Sequence, residues 1–151
     1  MSIRVNIRPR LIGLASAAVL AAGALTAPAA AAPPQSTEQN GICEKNEICL
    51  YYGSGNRGSL SDFSVNTFVD DYGDSRDDCY KFISPGAGRG ECIKNNAESI
   101  VNNSKFDVSV HTSGPVGEFT WMSFDFAPYS SDDFDDELKN YNTTHRLFIA
   151  I

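Results

Sequence analysis

A six-residue phrase occurs twice in this chain, as Lys94-Asn95-Asn96-Ala97-Glu98-Ser99 and, 45 residues later, as Lys139-Asn140-Tyr141-Asn142-Thr143-Thr144. Each copy lies downstream of a strand-like run that ends in a glycine-rich turn, Leu50 to Gly58 before the first and Val108 to Gly117 before the second. A repeat of this kind outranks other signals because missing it misreads the whole fold. It points to a duplicated β unit and to two related Greek-key halves.

The first 32 residues read as an export signal, with Arg4, Arg8 and Arg10 ahead of an apolar run from Leu11 to Leu25 and small residues from Ala29 to Ala32. The run is shorter than the roughly 20 apolar residues a membrane-spanning helix needs, and no second apolar segment follows. Cleavage of that signal leaves 9 of the 12 basic side chains against 19 acidic ones, a net charge of −10. Nucleic acid is a poor partner for such a surface, because phosphate binding depends on counterion release by Lys and Arg. About 120 remaining residues make one domain. All 16 aromatic residues lie at or after Tyr51, which supplies the apolar mass for one core.

Cys43, Cys49, Cys79 and Cys92 all fall in the mature part of an exported chain, where two disulfides are expected. Of three connectivities, the sequential one, Cys43 with Cys49 and Cys79 with Cys92, is favoured because each pair brackets turn-forming residues. Zinc is disfavoured, since neither His111 nor His145 lies near a cysteine in sequence.

Residues 33–41 are Pro, Gln, Ser, Thr, Glu, Asn and Gly, a mobile leader by composition, and structure is expected from Ile42 to Ile151, in halves of about 42–104 and 105–151. Ile48, Leu50 and Tyr52 alternate with Cys49 and Tyr51 in the two-residue period of a strand. Gly53, Gly55 and Gly58 then permit a folded-over hairpin, with Leu60 to Phe63 as its return strand. Between Asn66 and Asp78 an acidic loop reads as a solvated insertion. Its Tyr72 stands where a calcium loop of the EF-hand type needs an acid or amide before the glycine. Phe106, Val108 and Val110 form a half-buried strand. The change of apolar parity between Phe119 and Phe126 predicts a bulge at Trp121-Met122, and Leu147 to Ile151 closes the chain as an apolar strand. With no sustained helical period, the class is all-β.

Ile48-Cys49-Leu50-Tyr51-Tyr52 with its turn to Gly58, together with Gly86-Ala87-Gly88-Arg89-Gly90-Glu91-Cys92-Ile93-Lys94-Asn95-Asn96-Ala97-Glu98-Ser99, resembles the secreted bacterial peptidase inhibitors typified by the Streptomyces metalloproteinase inhibitor. The resemblance covers most of the mature chain, strongly in the first half and loosely in the second. It implies a βγ-crystallin-like Greek-key sandwich. Tyr51 and Gly58 keep that fold's spacing of an aromatic seven positions before a glycine, whereas Val110 replaces the aromatic before Gly117. The fold's calcium signature is matched by Asn95, Asn96 and Ser99 and departs at Ile100. The second copy keeps Asn140 and Thr144 and departs at Tyr141 and His145.

Taken on their own chemistry, Asn95, Asn96 and Ser99 are turn-holding amides and a hydroxyl before they are calcium ligands, since calcium wants six to eight oxygens. No cofactor is required, and calcium is the one cation the pattern admits. His111, in a strand, and His145, in a turn, belong to no nucleophile or metal motif, so the chain is not expected to be an enzyme. An inhibitor needs less: a segment presented on a rigid frame. The candidate is Pro85-Gly86-Ala87-Gly88-Arg89-Gly90, closed by Cys79 and Cys92, with Arg89 suited to a trypsin-like pocket and three glycines that equally suit a tight turn. The expected protein is thus a secreted, monomeric inhibitor of an extracellular protease, of the metalloprotease class by resemblance. The rival is a noncatalytic extracellular module that binds calcium.

Overall fold

Two-residue alternation builds the first strands. The computed structural model describes residues 38–112 and 122–148, and among these every regular element is a strand: β1 (Glu47–Gly53), β2 (Arg57–Ser64), β3 (Ser99–Asn102), β4 (Asp107–Thr112), β5 (Ser123–Phe126), β6 (Ser131–Asp133) and β7 (Asn142–Phe148). They form two antiparallel sheets, ordered β2-β1-β3-β6 and β5-β4-β7. Ile48 and Leu50 point into the core between the sheets with Phe63 and Ile100, facing Val108 and Val110 of the second sheet. Cys49, of the opposite parity, is buried as well and is disulfide-bonded to Cys43. The second disulfide joins Cys79 to Cys92, so the cysteines pair sequentially.

The halves are interlocked. β6 comes from the second half yet pairs with β3 of the first, Ile100 opposite Asp132. In return Val69 of the first half bridges His145 on β7, and Tyr72 N donates to Thr143 O at 2.9 Å. The repeated phrases meet across this exchange. Asn95 N donates to Asn142 O at 2.8 Å and Asn140 N to Ala97 O at 3.0 Å. Both asparagines adopt the left-handed conformation, φ +60° and +61°, which asparagine tolerates better than most residues.

Four sequence expectations need correction. Residues 38–41 are not a free leader: they are hydrogen-bonded along the outer edge of β2, with Gln39 N on Asp62 O at 3.3 Å and Ser64 N on the Glu38 carboxylate at 3.1 Å. The acidic loop is solvated only in part, because Val69 and Tyr72 within it are core residues. Their apolar mass was hidden among aspartates that point outward. His145 lies in β7 and not in a turn, fully buried. β7 also begins at Asn142, five residues before the expected apolar start, since Asn142 and Thr144 are buried through hydrogen bonds instead of apolar contact. The export signal over 1–32, leader residues 33–37, the Gly117 turn, Trp121 of the expected bulge, and residues 149–151 lie outside the described residues.

Candidate functional site

The segment between Cys79 and Cys92 leaves and re-enters the domain as a short ladder. Phe82 N donates to Glu91 O at 3.0 Å, Gly90 N to Phe82 O at 2.8 Å and Ile93 N to Tyr80 O at 2.9 Å, with the disulfide closing the base at a Cα separation of 5.6 Å. Beyond it the tip, Pro85–Gly90, folds against the hairpin between β1 and β2. Ser59 N donates to Ala87 O at 2.8 Å, and Ser84 holds the approach by accepting from Leu60 N on Oγ at 2.7 Å. Gly88 lies flat on the Tyr52 ring, where a Cβ would fall 2.1 Å from Cγ. Tyr52 in turn sits edge-on to Phe82, the centroids 5.5 Å apart.

These contacts decide the shape of the loop. Arg89 N reaches back to Gly86 O at 3.3 Å and Glu91 N to Gly88 O at 3.0 Å, so the tip is a run of turns with positive φ at Gly86, Gly88 and Gly90. It is not an extended strand, because close approach to Tyr52 and to the Gly58 backbone requires glycine and bends the chain. Pro85, Ala87 and Arg89 remain exposed on its outer side. Five of the six candidate residues thereby face solvent on a fixed frame, and Gly88 is the half-buried anchor.

Asn95, Asn96 and Ser99 stand apart from this loop. The Asn96 amide donates to Cys92 O at 2.9 Å and Lys94 O at 3.3 Å. Ser99 Oγ donates to Gly53 O at 2.8 Å and accepts from Asn56 N at 3.1 Å. The adjacent carboxylate, Glu98, accepts from Ser54 N and Oγ, and Lys139 of the second phrase lies 3.0 Å away. Burial opposes ionisation of Glu98, but the hydrogen bonds from Lys139 and Ser54 outweigh it and hold its pKa below the usual carboxylate range. The cluster fits a cation poorly, since an ammonium group already sits on its carboxylate. Among the described residues no three His, Cys, Asp or Glu side chains converge as metal ligands.

The buried histidine offers no reaction centre. His145 is buried against Phe63, its Nδ1 2.9 Å from the Tyr72 hydroxyl, and desolvation, followed by the neighbouring His111, holds its pKa down to about 4. Sequence reasoning missed other residues that shape the site. Asp62, fully buried, accepts from Asn40 N at 3.0 Å and Gly41 N at 2.7 Å. Its only sequence signal is an acid in a position of β2 opposite Cys49, which says nothing without the register. Tyr52 and Lys139 were legible as residues of their phrases but not as partners of Gly88 and Glu98.

The model of one protein family, described as peptidase inhibitor family I36, matches residues 36–119. The match spans both disulfides and the whole 79–92 loop. No curated protein and no solved structure matches the chain.

Proposed function

The chain belongs to peptidase inhibitor family I36, and from that membership we propose that it is a secreted inhibitor of metalloproteases which offers the Pro85–Gly90 turn to its target. As a member of that family it is a peptidase inhibitor and not an enzyme, and its partner is a peptidase. The observation that carries the finer reading is the combination of exposure and restraint in one loop: an outward tip, welded to β2 and Tyr52 behind it and closed by a disulfide below. Binding orders little that is not already ordered, so contact energy is not spent on fixing the chain. The turn shape favours insertion of a carbonyl-bearing bend at a catalytic zinc over strand-like occupation of a serine-protease cleft. A βγ-crystallin-like Greek key is the fold that best accounts for the exchange of β6 against the Val69 segment and for the Ser99 hydroxyl that pins the hairpin between β1 and β2. Disulfides in both halves of the matched segment accord with an oxidising, extracellular setting, and among the described residues no helix is long and apolar enough to cross a membrane.

Titration of a thermolysin-like and a trypsin-like protease with the oxidised mature protein tests this. Stoichiometric inhibition of the metalloprotease, lost after dithiothreitol with the reductant's own effect on each protease subtracted, is the expected result. Inhibition confined to the trypsin-like enzyme would move the target class to serine proteases through Arg89, and inhibition of neither at micromolar protein would overturn the loop reading. Calcium in the same samples should leave the melting temperature unchanged. A rise would instead establish the cation-binding module, because a ligand that binds only the native state must stabilise it.

A further inference from the structure

β2 is an edge strand, and two separate segments cover its outer edge in tandem. At one end Gln39 N donates to Asp62 O and Ser64 N to Glu38, while Asn40 N and Gly41 N both donate to the Asp62 carboxylate. At the other, Ile83 N and Ser84 N donate to Leu60 O at 2.8 and 3.2 Å, and Ser59 N donates to Ala87 O. The two meet where Gly41, at φ +79°, packs on Ser84: a Cβ on Gly41 would lie 3.1 Å from Ser84 Cα. Ser84 is the residue from which the exposed tip departs, and it is tied to β2 through its Oγ and through its O, which accepts from Ser59 Oγ at 2.5 Å. The N-terminal segment is itself fixed at two successive points. Asp62 holds 40 and 41, and the Cys43–Cys49 disulfide fastens the next turn to β1 at Cys49, the register partner of Asp62.

We infer that residues 38–41 are a strap which positions the protease-facing loop, with Asp62 as the positioning residue that holds the strap against Ser84. This rests on the reading of Pro85–Gly90 as the contact surface. The physical reason is that an edge strand offers unpaired donors and acceptors to any neighbouring chain, and two short segments abutting along one edge block each other's movement. Removal of the strap frees Ser84 to leave the edge, and the tip then samples conformations that cannot bind. Affinity falls by the fraction of time the loop is competent, and the loss appears in the association rate, because the bound loop is the same in both proteins.

The experiment compares the mature protein with three variants: deletion of residues 33–41, Asp62→Asn and Gly41→Ala. Amide hydrogen exchange is read at Ser59 and Gly90, the donors that hold the tip, and at the β4–β7 amides as an internal reference. Deletion should speed exchange at Ser59 and Gly90 by about tenfold or more, with the β4–β7 amides unchanged. It should slow association with the inhibited protease by a similar factor while dissociation stays as it was. Asp62→Asn keeps one acceptor oxygen and should fall between. Gly41→Ala keeps the Asp62 carboxylate and the backbone donors, and disturbs the segment through the Ser84 contact together with left-handed strain at φ +79°, a milder change that guards against a deletion that unfolds the domain. Unchanged exchange at Ser59 and Gly90 in a folded deletion variant or in Gly41→Ala would overturn the strap. Faster exchange there, in a protein that inhibits no protease even with its strap intact, would leave the strap standing as a loop support and remove the inhibitory reading instead.

Discussion

His145 shows what one buried side chain imposes on the molecule. It is fully buried, hydrogen-bonded to Tyr72 through Nδ1, and its Nε2 has no partner among the described residues. The neutral ring is tolerated there and the imidazolium is not. With a folded pKa of about 4 against about 6.5 in the unfolded chain, the unfolded state takes up the proton first as pH falls. Above pH 6.5 the ring is neutral in both states and pH-independent in its effect. Between 6.5 and 4 stability drops by about 3 kcal/mol from this group, and below 4 the loss levels off. Urea unfolding of the protein and of His145→Gln at pH 7 and pH 4.5 checks this: the stability lost on acidification should be smaller in the variant by about 2 kcal/mol or more. His111 is held below its ordinary value too, by desolvation first and then by Arg146, so it adds a smaller loss of the same sign.

At the scale of the element, the loop between Cys79 and Cys92 depends on glycine at one place above all. Gly88 combines φ +81° with contact on the face of Tyr52, so any side chain there meets both backbone strain and a ring that cannot retreat from Phe82. Gly88→Ala should cost on the order of 3 kcal/mol, from left-handed strain together with overpacking. The tip should lift from β2, visible as faster exchange of the Ser59 amide. Gly90 is the contrast: its φ is +85°, but a Cβ there meets nothing within 4 Å, so Gly90→Ala carries the conformational strain alone and should cost about 1 kcal/mol.

Across the whole molecule, β6 makes the second half part of the first half's sheet, and the Val69–His145 bridge ties the first half to β7. Phe134, next to β6, is buried with its ring 5.5 Å from Phe126 of β5 and its N–H on Glu98 O of the first half at 2.9 Å. Phe134→Ala should cost about 3–5 kcal/mol. Because the halves are joined through β6 and the Val69–His145 bridge, that loss should lower one cooperative transition and not melt the second half ahead of the first. Urea curves followed by far-ultraviolet circular dichroism and by hydrogen-exchange protection of the β1–β3 and of the β4–β7 amides are expected to coincide for the variant. Separated curves would show halves that unfold independently.

The sequence by itself determined the strands whose apolar side chains alternate, Ile48 to Tyr52 and the one that carries Val108 and Val110, though the latter begins at Asp107 and leaves Phe106 outside, because a two-residue period is a local property. It also carried the repeat of the Lys94 phrase at Lys139, whose two copies meet in the structure through Asn95 N on Asn142 O and Asn140 N on Ala97 O. It left the glycines of 86–90 open between turn and presented strand, and the tertiary structure decided for turns, because the deciding partners, Tyr52 and Gly58, lie some 30 residues away in sequence. The same holds for residues 38–41. Their composition is that of a leader, and what orders them is the Asp62 carboxylate on a strand edge that exists only once β1 and β2 have paired. Tyr72, Val69 and His145 looked solvated or turn-bound beside their polar neighbours, and the strand exchange buried them. Periodicity fixes which residues can face inward together, whereas edges, exchanged strands and close glycine contacts arise between segments that carry no mark of one another.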